Sequence, residues 1–249
     1  ADKVVIPEES QIYFSEKPVY MPCYQINNAT VIPESKKYTR KEFNLPEKGV
    51  VFASFNQTYK LEPRLLDSWV RILKRTPSSV LWLWQQSLDF YQGINREVIK
   101  RGLDPERVIL GADMPKTKHL ARLGLADLCL DTFTYGGHTT TTDSLWGGVP
   151  VVTVLGKHFA SRVSASILGR AGLSDMVCES VSQYEDLAVE LVSDASRLAE
   201  LKKKITRDKL RKNLFDTKDF VARLEEAFKK MNWLYKNGKQ PEIIDLSNI

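Results

Sequence analysis

Short apolar runs, each followed by a stretch of helical period, constrain this chain more than any other feature. Val50-Val-Phe-Ala-Ser-Phe55, Val80-Leu-Trp-Leu-Trp84, Arg107-Val-Ile-Leu110, Asp127–Leu130 and Val149–Val154 read as strands. The second is apolar at every position, as expected of a strand covered on both faces. Between them, Pro63 opens a helix with Leu65, Leu66, Trp69, Ile72 and Leu73 on one side. Further helices are expected from Ser87 to Arg101 with a stop at Gly102, near Lys116–Gly124, from Thr139, and near Ser161–Ala171. Alternation at this spacing predicts an α/β fold built on a doubly wound parallel sheet. Residues 46–180 form that core. Residues 1–45, broken by Pro7, Pro18, Pro22 and Pro33, read as an entry segment packing on the same lobe. Residues 181–237 read as helices, the last over Asp219–Lys236 with Phe220, Leu224, Ala227, Phe228, Met231 and Leu234 as its apolar stripe, and 238–249 as a loosely held tail.

Composition narrows the function classes. A chain of 249 residues that is 43% hydrophobic and 27% charged is of globular type. The net charge of +5 is concentrated in Lys202-Lys-Lys-Ile-Thr-Arg-Asp-Lys-Leu-Arg-Lys212, where no aromatic residue interleaves. Such a run reads as a solvated helix face rather than a nucleic-acid surface. No apolar run reaches the length of a membrane span, so no membrane partner is expected. Cys23, Cys129 and Cys178 are odd in number and far apart, which excludes a disulfide framework and points to a reducing compartment, cytoplasmic or nuclear. The sequons Asn28-Ala-Thr30 and Asn56-Gln-Thr58 read as chance matches there. The opening Ala1-Asp-Lys-Val-Val-Ile-Pro7 reads like a chain entered in mid-fold, hence a fragment.

The stretch from Asp131 to Thr153 reads as strand end, glycine turn, helix start and next strand. Gly136 and Gly137 are expected to supply positive φ and close approach, while Thr139–Thr142 set hydroxyls beside the unpaired N–H groups of a first helical turn. A diphosphate fits such a junction. The structural alternative is a capping box between Thr140 and Asp143, at S/T-x-x-D spacing. Lys60, just past the first long strand, can supply a cation, although taken alone it reads sooner as a surface lysine. Lys116, His119 and Arg122, three residues apart, share one helix face, able to stack on and hydrogen-bond a base or simply to face water. There is no Asp-x-Asp metal motif, no Gly-x-Gly-x-x-Gly and no P-loop.

Three ordered segments make the reading specific. His138-Thr-Thr with Asp143, Leu145-Trp146-x-Gly and Pro150-Val-Val-Thr resembles the nucleotide-sugar loop of the protein O-GlcNAc transferase family. Phe55-Asn-Gln-Thr-Tyr-Lys60 with Trp69 and Ser79-Val-Leu-Trp-Leu83 resembles its first strand and helix, and Pro115-Lys116-x-x-His119-x-x-Arg122 a third motif. The resemblance runs from about Ser15 to about Leu234. It implies the Rossmann-like C-terminal lobe of a GT-B type glycosyltransferase, with tetratricopeptide repeats and another catalytic lobe before it in the family.

By that resemblance the function is metal-independent, inverting transfer of GlcNAc from UDP-GlcNAc to Ser/Thr of intracellular proteins, with acceptors reached through N-terminal parts. It implies Lys60 on the β-phosphate, Gln57 nearby, Thr139 and Thr140 on the diphosphate, and His138 near the sugar, so Lys60 and His138 carry catalysis. Lys116, His119 and Arg122 would hold the uracil, backbone atoms of Met114 would contact the base edge, Pro115, Leu120 and Ala121 would join them in binding the donor, and Asp143 would take the ribose. Met114 departs from the small residue expected there. No metal or other cofactor is implied. The related protein O-fucosyltransferase branch, using GDP-fucose, is the nearest rival; His138 and Asp143 favour the UDP-GlcNAc side. A nucleotide-binding module without turnover is the rival from another class. His158 is the control, a histidine outside the motifs.

Overall fold

The computed structural model describes residues 1–25, 28–85 and 87–247. After β1 (Val19–Tyr20), the core runs β2 (Val51–Ser54), α1 (Pro63–Arg75), β3 (Val80–Trp84), α2 (Leu88–Lys100), β4 (Val108–Gly111), α3 (Lys116–Leu123) and β5 (Leu128–Leu130). It continues through α4 (Thr139–Trp146), β6 (Val151–Val154), α5 (Val163–Arg170) and β7 (Val177–Cys178). Helices α6 (Val181–Ser193), α7 (Ala195–Lys204), α8 (Arg207–Arg211) and α9 (Thr217–Lys236) precede a final strand, β8 (Ile244–Asp245).

The main sheet has the order β4-β3-β2-β5-β6-β7, and neighbouring strands in it run parallel. Strand order therefore reverses between β2 and β5. In doubly wound sheets the crevice beyond the carboxyl ends of the strands at that reversal is where ligands bind. Here it receives the loop after β2, which carries Lys60, and the loop after β5, which carries Gly136 and Gly137.

The sheet is held by burial on both faces. Val51, Phe52, Ala53, Leu81 and Trp82 are fully buried, as are Leu65, Trp69 and Ile72 on the inner side of α1. Pro63 starts α1 with its fixed φ, and Ser87 caps α2 by accepting from the Phe90 N–H at 3.1 Å. One buried chain of bonds ties this packing to the crevice. Trp69 Nε1 of α1 donates to Tyr184 Oη of α6 (3.0 Å), which donates to the Asp131 carbonyl (3.1 Å) at the end of β5.

Two expectations change. The tail is not loosely held over its described part: β8 pairs in parallel with β1, and Ile244 and Leu246 are buried with Met21 and Ala227 in a second small core. Residues 248 and 249 lie outside the described residues. In α9, Ala227 and Leu234 are buried and Phe220 and Leu224 pack on that small core, whereas Phe228 and Met231 are exposed. The small core meets only one narrow side of α9. β7 and the β1–β8 pair have no signal in the sequence, because two-residue strands carry no periodicity.

Candidate functional site

Lys60 lies at the end of a single 3-10 turn after β2 and is a buried lysine, 9% exposed. Its ammonium donates to the Gly136 carbonyl (2.8 Å) and to Asn56 Oδ1 (3.3 Å), and stands 4.1 Å from the centre of the Tyr135 ring. Burial lowers its pKa, and Asp131 partly opposes this. Asp131 is itself buried: it accepts from the Gly137 N–H (2.7 Å), Thr153 Oγ1 (2.7 Å) and Asn56 Nδ2 (3.5 Å). The carboxylate thus pins the glycine turn against the strand ends.

Gly136 and Gly137 do not have positive φ, contrary to expectation; the glycines that do are Gly49, Gly102, Gly148, Gly172 and Gly238. Space is the reason for glycine here. A Cβ on Gly137 would stand 2.8 Å from Thr140 Oγ1 and 3.0 Å from Asp131 Oδ1, and closer still to Thr141 Oγ1. The capping-box alternative also fails. His138 is the N-cap of α4 and makes no side-chain cap, Thr140 Oγ1 donates to Asn56 Oδ1 (2.8 Å), and Asp143 pairs with Lys116. The N–H groups of Thr141 and Thr142 return to the His138 carbonyl. Among the described residues, those of Thr139 and Thr140 have no partner, so the positive end of α4 opens beside Lys60.

His138 is half-buried, edge-on to Tyr135 (5.4 Å) and Tyr24 (6.2 Å), with Nε2 buried and without a hydrogen bond. Its pKa is lowered, first by burial and then by the Lys60 charge. An imidazole beside helix-end donors and a cation that, among the described residues, is bonded to no carboxylate is a site for a group bearing negative charge.

A second cavity, of about 260 Å³, adjoins Gln57 and is lined by Phe55, Trp84, Met114, Lys116, His119 and Arg122. His119 packs edge-on to Phe55 (4.9 Å), and its Nδ1 accepts from Arg122 Nε (3.1 Å). Burial, helped by Arg122 and Lys116, pushes its pKa down to about 3, so the ring is neutral with Nε2 the protonated nitrogen. Arg122 is 1% exposed, donates also to the Ala112 carbonyl (2.6 Å), and lies over the Phe55 ring at 4.8 Å. It fixes the tautomer and tilt of His119.

The glycosyl transferase family 41 model matches residues 23–224. The chain belongs to that family. It is 36% identical over 248 residues to the probable UDP-N-acetylglucosamine–peptide N-acetylglucosaminyltransferase SEC of Arabidopsis thaliana, covering 97% of this chain and 25% of that protein. Against the UDP-N-acetylglucosamine–peptide N-acetylglucosaminyltransferase of Caenorhabditis elegans it is 38% identical over 208 residues, covering 83% of this chain and 18% of the other. The fold superimposes on an O-GlcNAc transferase mutant from Thermobaculum terrenum with a TM-score of 0.83 at 32% identity, covering 93% of this chain and 44% of that one. The chain thus spans about a quarter or less of these curated relatives. The lobe is of the GT-B type.

Of the residues singled out in this family 41 lobe, Gln57, Lys60, Met114, Lys116, His119, Arg122, His138, Thr139, Thr140 and Asp143 lie around the crevice of β2, β4 and β5. Pro115 is exposed at the N-cap of α3. Leu120 and Ala121 point elsewhere: both line a different cavity, between α3, α4, α7 and α8, and Leu120 is 2% exposed. His158 is exposed, before a short turn. Residue-by-residue reading overlooked Asn56, Asp131 and Tyr135. The available signal was a polar residue close behind a buried strand, Asn56 two positions past β2 and Asp131 immediately past β5.

Proposed function

We propose that this lobe holds UDP-GlcNAc for a transferase that moves GlcNAc onto Ser/Thr hydroxyls of proteins, inverting the anomeric centre without a metal. The carrying observation is the buried Lys60 facing the open amino end of α4 across the reversal point of the sheet. During transfer the acceptor hydroxyl gives up its proton, to solvent or to the departing diphosphate, as its oxygen bonds to C1 and the C1–oxygen bond to the diphosphate breaks, leaving the electron pair on the β-phosphate. A preorganised cation and helix-end donors lower the energy of that developing charge. The uracil would stack in the cavity of His119, with Lys116 and Asp143 towards the ribose. The names of the relatives support this donor and acceptor class. Three free, buried cysteines suit a cytoplasmic or nuclear setting.

Titration calorimetry with UDP and GDP tests the reading. UDP is expected to bind more tightly. Tighter binding of GDP would favour a GDP-fucose donor, and no heat with either would end the nucleotide-sugar assignment.

A further inference from the structure

The carboxamide of Asn56 joins the two halves of the phosphate cradle. Asn56 is 8% exposed and follows β2, yet its side chain crosses to the loop after β5. Oδ1 accepts from Lys60 Nζ (3.3 Å) and from Thr140 Oγ1 (2.8 Å), while Nδ2 faces Asp131 Oδ1 (3.5 Å). A cation and a hydroxyl on one side and a carboxylate on the other admit only one orientation of the amide. Asp131 is in turn fixed by Gly137 N–H and Thr153 Oγ1.

This arrangement directs two donors. The single hydroxyl hydrogen of Thr140 is committed to Asn56, so what α4 offers an anion at this point is its free N–H groups. Lys60, with Gly136 O and Asn56 Oδ1 as acceptors and Tyr135 against it, keeps one N–H for a ligand. We infer that Asn56 is the positioning residue that aims Lys60 at the β-phosphate. Asn56 itself need not touch the ligand.

The inference rests on the nucleotide-sugar reading, and the two can fail separately. UMP and UDP share the uridine and α-phosphate, so the ratio of their affinities isolates the β-phosphate. Calorimetry on the chain should give Asn56→Ala the UMP affinity of wild type within about threefold, and a UDP:UMP ratio reduced about tenfold, as expected when a charged contact is lost. Lys60→Met should reduce the ratio as much. The double variant should be no worse than Lys60→Met, since a residue acting through Lys60 has nothing left to position. Loss of UMP and UDP binding in equal proportion, or additive losses in the double variant, would overturn the assignment. Asn56→Ser covers the case in which the alanine variant does not fold: its hydroxyl stays polar but is too short to reach both Lys60 and Asp131, so its UDP:UMP ratio should fall as that of the alanine variant does. A wild-type ratio in the serine variant would overturn the assignment. Wild type that binds neither nucleotide would remove the functional reading and this inference together.

Discussion

The ammonium of Lys116, at the start of α3, pairs with the carboxylate of Asp143 in α4, 27 positions along the chain. The pair bridges α3 and α4, the helices that follow β4 and β5, at the rim of the crevice. Asp143 is 15% exposed, and burial raises its pKa while the Lys116 bond pulls it back. On the proposed reading, a ribose entering the crevice would meet a carboxylate already held in place by Lys116.

Asp143→Asn should therefore remove discrimination for the ribose hydroxyls. Wild type is expected to prefer UDP to 2′,3′-dideoxyuridine diphosphate by about tenfold or more, the scale of a hydrogen bond to a charged group. The variant should bind both about equally by calorimetry. An unchanged preference would place the ribose elsewhere.

His119→Ala should lower UDP affinity by about 1–3 kcal/mol, the range for an aromatic partner of a nucleobase. His158→Ala, outside the crevice, should leave it unchanged. Equal effects from the two variants would refute the base pocket.

The same histidine sets a pH signature. Its folded pKa of about 3 lies below the ordinary histidine value of 6.5, so between these values the unfolded chain takes up a proton that the folded protein refuses. Its contribution to stability is complete above pH 6.5 and is lost as pH falls towards 3. Urea titrations at pH 7 and pH 4.5 should show wild type losing more stability than His119→Gln. Equal losses would show that the ring protonates freely in the fold.

Lys60→Ala in the full-length protein should reduce kcat by about 10²-fold or more, because its contact strengthens as the leaving group gains charge. EDTA should leave turnover unaltered. A change confined to KM would assign Lys60 to ground-state binding only.

Gly137→Ala tests the packing reason for glycine. The added methyl meets Thr140, Thr141 and Asp131 together, so a loss of about 1–3 kcal/mol in unfolding free energy is expected, with weaker UDP binding. Gly148→Ala probes the other kind of glycine, since its φ is +82° with nothing near the Cβ, and it should lose stability without affecting UDP.

The sequence by itself determined the sheet, its parallel sense and the loops that carry the chemistry. Strands such as Val51–Ser54 and Val80–Trp84 are apolar or small at every position, and helices such as Pro63–Arg75 carry a period that admits one inner face. Local patterns of this kind are written in neighbouring residues. Only the tertiary structure decided how the candidate site is wired. Asn56 meets Thr140 across 84 positions and Lys60 meets Gly136 across 76, because strand reversal brings the ends of β2 and β5 together. It also decided that Arg122 holds His119, that Leu120 and Ala121 turn away, and that Ile244 is buried against the start of the chain. Each of these depends on which surfaces meet when apolar faces are buried, a property of the packed whole that no short segment encodes.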